Sequence, residues 1–90
     1  MNEQEPESAI EYPCQFPIKA MGKTSQNLNM IVVEIIRRHA GDIQEGAIKS
    51  RPSKNGKYTS ITITIEATSR AQLDAIYQDL SDHPAILMAL

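Results

Sequence analysis

One cysteine and two histidines are the thiol and imidazole groups of this 90-residue chain, the side chains most often used as nucleophile, base or transition-metal ligand. Cys14 has no basic neighbour within three positions to favour its thiolate, which suits a small packing residue. His39 falls on the apolar side of a helical stretch with no evident partner, and His83 stands in a turn before Pro84. No Cys/His cluster has metal-ligand spacing, and a Cys-x-x-Cys is impossible with one cysteine, so no metal or cofactor is expected. Nucleophile, base and orienter are nowhere placed together, so no catalytic residue is assigned and the chain reads as non-enzymatic.

Two stretches have residues suited to holding an anion. Gly22, Lys23, Thr24 and Ser25 lead from a strand into a helix, where free amides, the helix dipole and the lysine could receive a small anionic effector. The same hydroxyls also suit a plain helix cap. Lys49, Arg51, Lys54 and Lys57 place four bases within nine residues that contain no acid. Such a tip can meet phosphates or acidic proteins, or simply keep a sheet edge from aggregating. The strand 1 turn offers only Lys23, whereas an acylphosphatase-type phosphate cradle needs an arginine.

The elements that must position these residues follow from periodicity. Phe16, Ile18 and Ala20 alternate with Gln15, Pro17, Lys19 and Met21, which gives a first strand over 13–22. In the helical stretch 23–41, Leu28, Ile31, Val32, Ile35, Ile36 and His39 share one face; Thr24 or Ser25 caps it and Gly41 stops it. A second strand over 42–52 is weakened by Gly46 and ends at Pro52, a residue that belongs on an edge. Asn55-Gly56 predicts a type I′ hairpin turn into strand 57–67. Ser69 and Gln72 form a capping box for a second helix with Leu73, Ile76, Tyr77 and Leu80 inward. Residues 85–90 make a last short strand.

The order β-α-β-β-α-β predicts an α+β ferredoxin-like split βαβ sandwich: a four-stranded antiparallel sheet with both helices on one face. The isoleucines of strand 3 must then face the helices. Lys19, Tyr58, Ser60, Thr62 and Thr64 are expected on the open face, where β-branched polar residues suit water or a polar partner.

The net charge of −2 hides a split. Glu3, Glu5, Glu7 and Glu11 precede Tyr12, leaving seven acids against nine bases from there onward. Residues 1–11 are expected to be a disordered acidic tail, and 12–90 a single domain. No apolar run approaches the roughly 20 residues of a membrane span. The acidic N-terminus is no secretory signal, and with a lone thiol this points to the cytoplasm.

"FPIKAMG", "EIIRRHAG" and "RPSKNGKYTSITITIEATS" resemble, in order and spacing, the YbeD-like family of small bacterial proteins. The resemblance covers about residues 12–90 and implies an ACT-like version of the ferredoxin fold, a bacterial cytosolic origin and no assigned activity. ACT domains bind small effectors at the turn after strand 1, here Met21 to Gln26; their Asp-x-Pro-Gly entry is absent. The chain is therefore read as a regulatory or interaction domain for a protein partner or small effector, with a weak homodimer expected through the open face. Nucleic-acid binding through the 49–57 hairpin is the alternative, with only Tyr58 on that face of strand 3 to stack a base.

Overall fold

Alternation of isoleucine with threonine settles the sheet in the computed structural model, which describes residues 10–90. β3 (Tyr58–Ala67) sends Ile61, Ile63, Ile65 and Ala67 to one side, where all are buried. β1 (Cys14–Lys23) does the same with Ile18 and Ala20. The two strands pair antiparallel along their whole length, with Ile18 opposite Ile63 and Lys19 opposite Thr62. β2 (Ile48–Pro52) lines the far side of β3, and β4 (Ile86–Ala89) the far side of β1. The resulting order, β2-β3-β1-β4, is the antiparallel ferredoxin-like α+β arrangement that the sequence predicts.

Leu28, Val32, Ile35 and Ile36 of α1 (Leu28–Ala40) and Leu73, Ile76 and Leu80 of α2 (Arg70–Asp82) close over the isoleucines to form one core. Burying each such side chain is worth about 1.5–3 kcal/mol. That burial fixes the register: a slip of one residue along β3 would expose its isoleucines and bury its threonines. At the start of α2, Ser69 Oγ accepts from the Gln72 amide at 3.0 Å, the first half of the predicted box. Gln72 Oε1 returns to the Thr68 amide at 2.8 Å instead of to Ser69.

Four local expectations need correction. α1 begins at Leu28, not near residue 23, and its N-cap is Asn27 without a side-chain bond; neither Thr24 nor Ser25 caps it. Thr24 instead prolongs the β1–β3 ladder, its amide donating to the Lys57 carbonyl at 3.0 Å. The second strand is confined to Ile48–Pro52, because a 3-10 turn at Glu45–Ala47 occupies the stretch before it. The hairpin is not a type I′ turn: Gly56 has φ 76°, but Asn55 has negative φ. The turn is closed by the Gly56 amide on the Ser53 carbonyl and by Ser53 and Tyr58, which makes it a longer loop.

Of the expected acidic tail, residues 1–9 lie outside the described residues. Ile10 is half-buried and lines a groove of about 360 Å³ with Tyr12, Phe16, Leu73 and Tyr77. No helix among the described residues is long and apolar enough to cross a membrane.

Candidate functional site

The two surfaces expected separately, the open sheet face and the basic hairpin, share side chains. Because Ile48 pairs with Ile63 on the core side, Lys49 and Arg51 point to the opposite side, against Thr62 and Ser60. β1 puts Lys19 beside Thr62 and Met21 beside Ser60. Two rows therefore run across three strands: Lys19–Thr62–Lys49 and Met21–Ser60–Arg51. Strands lie about 4.8 Å apart, so Lys19 and Lys49 flank the Thr62 hydroxyl from roughly 10 Å apart. Lys19, Lys49, Ser50, Arg51, Ser60 and Thr62 border a shallow depression of about 380 Å³. Lys23 extends the same face, opposite Tyr58.

Among the described residues the charges on this face enter no ion pair: the pairs use Arg37, Arg38, His39 and Arg70, and none uses Lys19, Lys23, Lys49 or Arg51. At the other end of the face the sign reverses. Thr64 lies there with Gln15 and Glu66, beside the loop carrying Asp42 and Gln44, around a second depression of about 360 Å³. Thr62 thus belongs to the basic half and Thr64 to the acidic end.

Lys54 and Lys57 stay on the exposed hairpin tip, away from the rows. Lys57 Nζ sits 5.7 Å from the centre of the Tyr58 ring, a cation–π contact that covers part of the one aromatic on this side of β3. The tip is held by its own polar groups: Asn55 Oδ1 accepts from the Lys57 amide at 3.1 Å and Ser53 Oγ from the Tyr58 amide at 3.0 Å.

The residues expected as an effector turn are dispersed by the strand. Gly22 and Lys23 belong to β1, and Lys23 faces outward while Gly22 is buried. A Cβ at Gly22 would strike the Ala85 carbonyl oxygen and approach Leu28 Cδ1 to 3.0 Å, so close backbone packing against β4 requires glycine there. Thr24 Oγ1 is hydrogen-bonded to Thr59 Oγ1 at 2.7 Å, and the Ser25 carbonyl accepts from the Leu28 amide.

His39 does have a partner. Its Nε2 lies 2.7 Å from Asp79 Oδ2 of α2, both side chains being partly exposed, and Gln72 Nε2 donates to the His39 carbonyl at 2.9 Å. This bridge joins the end of α1 to α2. Asp79, three residues after Ile76 on the inner side of α2, was the legible sign of it. No group of three or more metal-ligating side chains is gathered among the described residues. Burial raises the Tyr77 phenol above its ordinary value of 10.0.

Comparison with known proteins follows the fold closely. A family model described as a protein of unknown function, DUF493, matches residues 7–90. The chain is 51% identical over 84 residues to the UPF0250 protein NE1487 of Nitrosomonas europaea, covering 93% of this chain and 97% of that one. It is 44% identical over 91 residues to a UPF0250 protein of a Janthinobacterium strain, covering all of both. The solution structure of HP0495 from Helicobacter pylori superposes with a TM-score of 0.68 at 19% identity, covering 99% of this chain and 98% of that one. This last likeness concerns the fold.

Proposed function

Starting from a chain that belongs to the DUF493 (UPF0250) family of small bacterial proteins, we propose an interaction module whose basic sheet face receives an extended acidic segment of a partner protein. The observation that carries this reading is the pair of rows across β1, β3 and β2. Lys19, Lys49 and Arg51 surround the Ser60 and Thr62 hydroxyls with no acid among them. An extended chain repeats its side chains on one side about every 7 Å, the interval that separates Lys49 from Arg51 and half of the one that separates Lys19 from Lys23. Carboxylates at alternate positions therefore meet cations in register, while hydroxyls between them offer hydrogen bonds to the partner.

Magnitudes set the expected strength. An exposed ion pair contributes about 0.2–1 kcal/mol, so three or four give a weak, reversible and salt-sensitive complex. A single strand of nucleic acid meets the same charges, but base stacking needs free aromatic faces, and Tyr58 is partly covered by Lys57. A small effector at residues 22–25 finds Gly22 buried and the Thr24 hydroxyl engaged, which favours the sheet face as the working surface.

The test titrates a fluorescent peptide of alternating glutamate and serine into the protein, with a single-stranded oligonucleotide of equal charge beside it. Peptide binding that weakens with salt and falls roughly tenfold or more in the double variant Lys19→Glu/Arg51→Glu supports the reading. Unchanged affinity in that variant, or binding of the oligonucleotide alone, overturns it.

A further inference from the structure

We propose that the outer edge of β4 is where two copies of this chain associate, antiparallel about a two-fold axis. The large apolar side chains left exposed among the described residues are Met30, Leu87, Met88 and Leu90, and three of these four lie on or beside β4. Leu87, Met88 and Leu90 are 61%, 50% and 66% exposed. An exposed hydrophobic strand edge is a template for pairing unless charge or proline blocks it.

Backbone polarity points the same way. Leu90 exchanges both hydrogen bonds with Lys19, at 2.7 and 3.0 Å. In an antiparallel ladder such a residue alternates with one whose amide and carbonyl face the other side, so Ala89 turns its N–H and C=O to the free edge. The opposite edge of the sheet is built differently: β2 carries Lys49, Arg51 and the terminal Pro52, each of which discourages strand addition.

Charge selects a second copy as the occupant. Residues 84–90 contain no charged side chain, so they offer nothing to the acidic segment proposed for the basic rows. A two-fold contact sets a surface against itself and therefore needs self-complementarity. The apolar, uncharged side chains of this edge meet that condition. The β2 edge would set Lys49 and Arg51 against their own counterparts. The irregularity between Met21 and Gly22 limits the pairable run to a few residues, which makes the dimer weak. In the pair, the two sheets become one, with the basic rows at its two outer ends.

Sedimentation equilibrium of the full chain up to millimolar concentration, with hydrogen exchange at the Ala89 amide, tests this. The expected result is a monomer–dimer equilibrium, with Ala89 protection rising as the protein is concentrated. The exposed-site double variant Leu87→Lys/Met88→Lys should weaken association roughly tenfold or more while keeping its circular dichroism. Met30→Lys, at the exposed apolar position on α1, should leave association unchanged. A chain that stays monomeric throughout overturns the inference and leaves the β4 edge to a foreign strand. Association that survives the β4 double variant but is lost in Met30→Lys overturns it as well.

Discussion

Replacing Gly22 by alanine separates a packing role from a ligand role at the one position that both accounts claim. The added methyl group would run into the Ala85 carbonyl and lie 3.0 Å from Leu28 Cδ1. Overpacking a closed site costs about 1–3 kcal/mol, and an obstacle made of backbone, unable to swing aside, places this case at about 2–3 kcal/mol. For a domain this small, each kcal/mol lowers Tm by about 4–8 °C, so Gly22→Ala should melt roughly 10–20 °C below the parent. Gly46→Ala is the control: nothing lies within 4 Å of its Cβ position, and φ there is not positive. That variant should be neutral or gain about 0.4–1 kcal/mol from a stiffer unfolded chain. Urea unfolding of both variants, with m-values compared, reads the difference. Equal stability of the two would refute the claim that β1 and β4 meet too closely for a side chain at Gly22.

Two further outcomes follow from the helical side of the molecule. A double-mutant cycle with His39→Ala and Asp79→Ala should give a coupling of about 0.5–1.5 kcal/mol, and none if the 2.7 Å contact carries no energy. Because burial raises the Tyr77 pKa above 10.0, its contribution to stability is fully present below that pH and is lost as pH rises through the folded value. Unfolding measured between neutral pH and strong alkali should therefore show a steeper alkaline loss in the parent than in Tyr77→Phe; identical slopes would contradict the assignment.

What the sequence made legible depended on how local the cause was. The isoleucine–threonine alternation of 61–65 needs only the pleat of a strand to sort its side chains, and both faces came out as read. The start of α1 did not, since the Thr24 hydroxyl goes to Thr59, 35 positions away, and so is withheld from the cap. The turn at Asn55-Gly56 was misread because Ser53 and Asn55 both hydrogen-bond back to the loop and stabilise a wider connection. The basic rows were half visible. Each cation stood in the sequence, but only the β2–β3–β1 register unites Lys49 and Arg51 with Lys19 and parts them from Lys54 and Lys57.

The basic sheet face is tested most directly by methyl NMR during titration with the glutamate–serine peptide. Chemical-shift changes should concentrate at the Met21 and Thr62 methyl groups and leave Met30 on α1 untouched. Changes confined to Met30 and the other helix methyls, or none at saturating peptide, would contradict the account.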